Sequence, residues 1–320
     1  MALLNCQGQP GPALAEFGAA RQRPAGIALV ETWQAAGDAL PVLPRVGTAF
    51  SAPRPDGRGG VAYVHWDRSS TATLWRSRPA DGVLWVRLDG VPAGSVGTPL
   101  LLGVCYLPPA GSPGCPRDVS SWWAALAADW DAASAVGTPL LAGDFNARTG
   151  REPDWPADDE SWAPRHSSDA TVNPHGRHLL QFCCSHGGRL CNGRLPGRKS
   201  AAATSFGVSA RGRAVVDYFV AGSGLWPWLL RLRVTAGHPA AQLSDHATLL
   251  LTLARRPLGA ALATAPPITP TQLQLPVSAV SHLATHALRR PQFQLVKGQV
   301  EEARSEEHTS ELQSHSDLVC

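Results

Sequence analysis

Lysine is almost missing from this chain: Lys199 and Lys297 are its only two. Arginine therefore carries nearly all the positive charge, beside abundant alanine, glycine and proline, a composition that GC-rich codons explain without functional pressure. Also missing is any apolar run of the ~18 residues needed to span a bilayer, and the N-terminus has no basic start followed by a long apolar stretch. These absences point to a soluble, unsecreted, intracellular protein. A regular cysteine framework is lacking as well. Seven cysteines, an odd number at irregular spacing, suggest a reducing compartment. Cys183, Cys184 and His186 have no second ligand pair at a spacing usable for zinc, and read as thiols buried beneath a helix.

Strong net charge is absent too, and the formal +3 argues only weakly for a polyanionic partner. Local distribution says more. Between Arg177 and Arg213 lie Arg189, Arg194, Arg198, Lys199 and Arg211 with no acid among them, while Glu152 to Glu160 holds five acids and no base. The basic stretch is a candidate phosphate-facing flank, and equally a solvated loop surface.

What the chain has in quantity is apolar residues, 44% of 320, enough for one large core. Runs rich in Val, Leu and Ile mark candidate strands at Ile27–Val30, Val61–His65, Val83–Leu88, Leu100–Tyr106, Pro139–Ala142, Val215–Val220 and Thr248–Leu253. Val119, Trp122, Trp123, Leu126 and Trp130 fall at helical spacing behind Asp118, a plausible N-cap. This tryptophan stripe reads as a helix face packed on a sheet. A second helix is expected from about His175 to His186, burying Leu179, Leu180 and Phe182. Strands with intervening helices imply an α/β protein with mixed sheets. After Leu253 the pattern fails. Residues 254–303 read as a Pro/Ala-rich linker with a possible short helix, and 304–320 resemble the translation of a sequencing adapter, so the domain is expected to span 1–253.

Candidate chemistry collects at strand ends. Leu140 to Ala147 is an apolar strand running into Gly143-Asp144-Phe145-Asn146, and side chains at i and i+2 share one side of an extended backbone. Asp144 and Asn146 would therefore project together. Asp217 stands inside the apolar run Val215–Phe219, where a lone carboxylate is costly, and His246, in Ser244-Asp245-His246, is a natural partner. Glu31 closes the strand Ile27–Val30, and Asn5 follows the apolar start Ala2–Leu4; ligand sites in open α/β sheets collect at such ends. Taken alone, Asp217 also reads as a structural ion pair, Glu31 as a helix cap, and Asp144-Phe-Asn146 as a turn.

Together and in this order the pieces resemble the endonuclease/exonuclease/phosphatase superfamily. They are Asn5 with Cys-Gln-Gly, Glu31-Thr-Trp, Gly57-Arg-Gly-Gly-Val61, Tyr106-Leu-Pro-Pro, Gly143-Asp-Phe-Asn-Ala147, Asn173 to Leu180, Val215-Val-Asp-Tyr-Phe219 and Ser244-Asp-His246. Several versions are most similar to the apurinic-type endonuclease domains of LINE-like, non-LTR retrotransposons. Pro109 is a departure, since many apurinic endonucleases carry Asn there. The resemblance implies a four-layer α/β sandwich, two facing mixed β-sheets flanked by helices. It implies Mg²⁺, with Mn²⁺ as a substitute, held by Glu31 with Asn5 and Asp245 nearby. Asp217 would orient His246, Asp144 would rival His246 as general base, and Asn146 and Tyr106 would donate to the phosphate. The implied activity is nicking of DNA to leave a 3′-hydroxyl that primes a reverse transcriptase domain, by a monomeric, nuclear enzyme that needs no membrane. The alternatives are another phosphodiesterase or phosphatase of the superfamily, or a nucleic-acid-binding remnant without catalysis.

Overall fold

The computed structural model describes residues 1–255 except 36, 39, 41–46, 92–96, 156–161, 163, 198, 208–212 and 237–242. Twelve named strands are β1 (Ala2–Asn5), β2 (Gly26–Val30), β3 (Thr48–Ala52), β4 (Val61–His65), β5 (Thr71–Arg78), β6 (Val83–Asp89), β7 (Leu100–Tyr106), β8 (Thr138–Asp144), β9 (Gly188–Leu190), β10 (Asp217–Gly222), β11 (Leu229–Thr235) and β12 (Thr248–Leu253). Among the described residues the α-helices are α1 (Pro10–Ala19), α2 (Val119–Val136) and α3 (Pro174–His186). The expected linker and tail beyond residue 255 lie outside the described residues.

The strands form two six-stranded sheets, ordered β11-β12-β1-β2-β4-β3 and β5-β6-β7-β8-β10-β9. Both are mixed, because β1 pairs with β2 and β7 with β8 in parallel while the neighbouring pairs are antiparallel. Alternation along single strands sets the layers. Leu3, Ala28 and Val30 face a core shared with Leu84, Leu102, Leu140 and Phe219 of the other sheet. Their neighbours Ala2, Leu4, Ile27 and Leu29 point the opposite way, onto Leu14 and Phe17 of α1. On the second sheet, Leu101 and Leu141 turn outward onto Trp122, Leu126 and Trp130 of α2 and Leu179 and Phe182 of α3. Helix, sheet, sheet, helices: the sandwich has four layers, as the period-2 side-chain alternation requires when both faces of each sheet are covered.

Helix α2 starts where expected, with the Asp118 carboxylate accepting from the Ser121 backbone N–H at 3.1 Å. Its tryptophan stripe is buried: Trp123 stacks on Phe145 at 5.9 Å between ring centroids, and Trp130 meets Phe182 edge-on at 5.4 Å. Burying a large apolar side chain contributes ~1.5–3 kcal/mol, so this stripe clamps the turn that carries Phe145. Helix α3 begins at Pro174, capped by Asn173, whose Oδ1 accepts from Gly176 N–H at 2.7 Å. It buries Leu179, Leu180, Phe182 and Cys183, and His186 at its end faces Asp131 at 3.0 Å.

Several elements escape the hydrophobic pattern. β5 is an edge strand with mostly exposed or half-buried residues, and β11, another edge, alternates with outward Leu230, Arg231 and Arg233. β9 has three residues, β3 opens on exposed Thr48, and α1 begins among prolines and glycine. Tertiary pairing, rather than local patterning, makes these segments regular. The strand expected from Val215 instead begins at Asp217, because Val216 and Asp217 N–H both bond the Thr204 hydroxyl at 3.0 Å.

Candidate active site

The C-terminal ends of β1, β2, β7 and β8 meet the start of β10 and the residues preceding β12. Register brings the polar residues together: Asn5 lies opposite Val30, the residue before Glu31; Tyr106 lies opposite Asp144; and Asp144 lies opposite Asp217. All eight sequence-predicted site residues sit on or next to these strand ends.

Asn5 is fully buried and donates its amide hydrogens to two carboxylates, Glu31 Oε1 at 2.9 Å and Asp144 Oδ2 at 3.0 Å. Its Oδ1 accepts from Gln7 N–H at 3.2 Å. Asn5 lies beside Glu31, as expected, and the two negative groups draw its NH₂ end toward them. A cation between the carboxylates would reverse that preference.

Asp217 and His246 form the expected pair, with Nδ1 to Oδ2 at 2.8 Å and both residues buried. With Nδ1 tied there, Nε2 faces Asp144 Oδ2 at 4.0 Å and Asp245 Oδ1 at 3.6 Å. Burial opposes the charged imidazolium, but Asp217, Asp144 and Asp245 together outweigh it and push the His246 pKa up to about 10. Burial, then the nearby charge of Asp217, raises the Asp144 pKa to about 8, against the opposing pull of His246. Burial, then the nearby charges of Glu31 and Asp144, raise the Tyr106 pKa, so its hydroxyl keeps its proton.

Asn146 has φ 46°, which turns the chain sharply after β8. Its backbone N–H bonds Asp144 Oδ1 at 2.9 Å, and its Nδ2 donates to Leu107 O at 2.9 Å, so one amide hydrogen is already engaged internally. Asn173 Nδ2 bonds Asn146 O at 2.8 Å and ties the same turn to the start of α3. The glycines of Gly57-Arg-Gly-Gly-Val61 explain themselves here. At Gly59, φ is +74° and a Cβ would lie 2.8 Å from the Tyr106 ring, so only glycine lets this loop close on the tyrosine.

Sequence reasoning missed Gln7. It clamps Asp245 from both ends, its Nε2 donating to Asp245 Oδ1 and its Oε1 accepting from Asp245 N–H at 3.2 Å. The Asn5-Cys-Gln segment contained the signal, but nothing local shows that Gln7 reaches a residue 238 positions away. The basic flank needs a correction. Arg194 is buried against Asp154 at 2.6 Å and lies over Trp155 at 5.1 Å, so a base from one charge run neutralises an acid from the other inside the protein. Arg189 is buried too, while Arg198 and Arg211 lie outside the described residues.

Asp144, Asp217 and His246 each place a donor atom within 4.8 Å of the others, a spacing that could accept a cation. A cation between His246 Nδ1 and Asp217 Oδ2 would have to break their hydrogen bond, however. Glu31 and Asp144, held together by Asn5, form the all-oxygen alternative, and hard oxygen donors suit a hard divalent ion. A hollow of about 400 Å³ lined by Arg23, His65, Trp66 and Ser70 lies at the other end of β4 and touches none of these groups. Among the described residues, no helix is long and apolar enough to cross a membrane.

Solved structures share the fold. The endonuclease domain of TRAS1, a telomere-specific non-LTR retrotransposon, matches with TM-score 0.54 at 16% identity, covering 79% of this chain and 96% of that one. The AP endonuclease LMAP from Leishmania major matches with TM-score 0.57 at 15% identity, over 80% of this chain and 87% of its own. The 3′ phosphatase NExo from Neisseria, bound to product DNA hairpin, matches with TM-score 0.54 at 16% identity, over 79% and 98%. No curated protein matches the chain. The sequence pattern of the Endonuclease/Exonuclease/phosphatase family matches residues 4–246, most of the chain, and the protein therefore belongs to that family of phosphoester hydrolases.

Proposed function

We propose that the chain is a Mg²⁺-dependent phosphodiesterase of the apurinic type that nicks DNA, leaving a 3′-hydroxyl and a 5′-phosphate. The observation that supports it most is one amide, Asn5, bridging Glu31 and Asp144 beside a buried Asp217–His246 pair. Glu31, with Asp245 nearby, is the proposed metal ligand, and Mn²⁺ would substitute. When bound, the ion supplies Lewis-acid neutralisation of charge on the phosphate or leaving oxygen.

The remaining roles belong to the protein. Asp217 holds His246 by Nδ1, so that Nε2–H is directed at the incoming phosphate as a hydrogen-bond donor. A histidine held in its charged form is a poor base, which leaves Asp144 to accept the proton of the attacking water. The protonated Tyr106 hydroxyl and the free amide hydrogen of Asn146 donate to the non-bridging oxygens.

DNA as substrate rests on the LINE-like motif versions and on relatives whose structures concern retrotransposition or a DNA product. The reading extends to a retrotransposon element, in which the nick would prime a reverse transcriptase domain in the nucleus, by a monomeric domain. The test incubates the full chain with supercoiled plasmid, with and without Mg²⁺, and in parallel with a 3′-phosphorylated oligonucleotide. Relaxed circles that appear only with metal support the reading. Phosphate release without relaxation would replace it with a phosphatase, and DNA binding without either product would replace it with a binding remnant.

A further inference from the structure

Trp33 is 52% exposed, whereas the tryptophan stripe of α2 is buried, and it stands two residues after Glu31. Lone exposed apolar residues are ordinary, so exposure by itself says little. Three further observations make this one different. Both Glu31 (φ 54°) and Trp33 (φ 49°) have left-handed backbone, which is strained for side chains of this size. That conformation is held by Trp33 N–H bonding Gly59 O at 2.8 Å and Thr32 N–H bonding Gly60 O at 3.3 Å, so the glycine loop over Tyr106 also aims the indole. Finally, the ring rests on Gly8, where a Cβ would fall 2.3 Å from Trp33 Cε3, and its Nε1 donates to Glu31 Oε2 at 3.2 Å. Gly8 itself has φ +77° and is fixed by its N–H to Glu31 O at 2.7 Å.

Among the described residues, the other exposed large apolar side chains, Leu74, Val136 and Leu230, sit on edge strands or a helix end away from the acid cluster. The indole is thus backed by a glycine, tied by its edge to the proposed metal ligand, and left open to solvent at the mouth of the site. Such a platform suits a flat π-surface. A nucleobase presents its face only when it is out of the helical stack, so the natural occupant is an unpaired base.

We propose that Trp33 stacks on an unpaired nucleobase next to the scissile phosphate, and that the enzyme therefore prefers DNA with an unpaired nucleotide beside the cleaved bond. This rests on the DNA-nicking reading above and narrows its substrate class. The preference lies in binding, with the indole N–H holding Glu31 in line as the base docks.

The test uses full-length wild type, Trp33→Phe and Trp33→Ala with Mg²⁺. Substrates are supercoiled plasmid and two end-labelled duplexes of one sequence, one fully paired and one with a single unpaired adenine. Wild type should show kcat/KM at least about tenfold higher on the bulged duplex. Trp33→Ala should raise KM on that duplex about ten- to hundredfold, equivalent to ~1.4–2.8 kcal/mol and within the range for one base stacked on an aromatic. Its preference should vanish, and Trp33→Phe should keep most of it. An active Trp33→Ala that retains the wild-type preference overturns the proposal, as does a wild type without preference. A fall in kcat shared by both variants at unchanged KM overturns it in favour of simple orientation of Glu31. If wild type cleaves neither duplex nor plasmid, the nuclease reading itself has failed, a result distinct from each of these.

Discussion

Removing His246 should disable the enzyme about as thoroughly as removing His246 and Asp217 together. The two side chains meet at 2.8 Å, and each is at least nine-tenths buried, so neither has water to fall back on. Asp217 Oδ1 already lacks a hydrogen-bond partner, and Oδ2 has His246. In His246→Ala that carboxylate becomes a buried, uncompensated charge, a situation that costs ~3–5 kcal/mol when one partner of a buried pair is removed. Losing one preorganised donor to developing charge costs ~10²–10³-fold, so His246→Ala and Asp217→Asn should each slow plasmid nicking by at least ~10²-fold. Groups that serve one task are strongly non-additive, and the double mutant should be little slower than His246→Ala alone. Independent roles would instead multiply to ~10⁴-fold, a coupling difference of ~2.7 kcal/mol. The assay is single-turnover conversion of supercoiled to open-circular plasmid, with folding checked by circular dichroism and urea titration. Stability should show the same coupling, with the double mutant no less stable than His246→Ala. A multiplicative loss with all three proteins folded would refute the pairing and leave Asp217 as a structural charge.

Glu31→Gln preserves shape and removes charge, so its nicking should need a higher Mg²⁺ concentration while its urea midpoint stays close to wild type; an unchanged Mg²⁺ titration contradicts the ligand assignment. In metal-free buffer, Asp144 binds its proton more tightly folded, at a pKa of about 8, than unfolded near 3.8. Its stabilising contribution is complete below about pH 4 and is lost as pH rises through about 8, so stability should decline across that window. Asp144→Asn should flatten the decline in urea titrations from pH 5 to 8, and an equal slope in the variant would show that other groups are responsible. Truncation after Leu253 should leave folding and nicking intact, because the recognised motifs end at His246 and β12 ends at Leu253; insoluble or inactive protein would show that the remaining residues support the domain.

Much of the sandwich was legible because its central strands are buried on both faces. Val61–His65, Leu100–Tyr106 and Thr248–Leu253 are unbroken enough in apolar character that their limits match the sequence reading. Asp118 and the tryptophan spacing likewise announced α2, since capping and helical period are local properties. The edge strands β5 and β11 were not legible, because half of their residues face solvent and their regularity comes from a partner's backbone.

The sequence by itself determined which chemical groups stand at strand ends, because alternation and chain termination at Gly143-Asp144 or Val30-Glu31 are written in consecutive residues. Only the tertiary structure decided how those groups are used. Asn5 turns its nitrogen rather than its oxygen toward Glu31 and Asp144, and Gln7 grips Asp245. Arg194 is spent on Asp154 inside the protein, and Trp33 is held open beside Glu31. Each of these depends on a contact between segments, or on the charge that surrounds a group in three dimensions. Hydrogen-bond direction and burial are set by that field of neighbours, and no window of consecutive residues contains it.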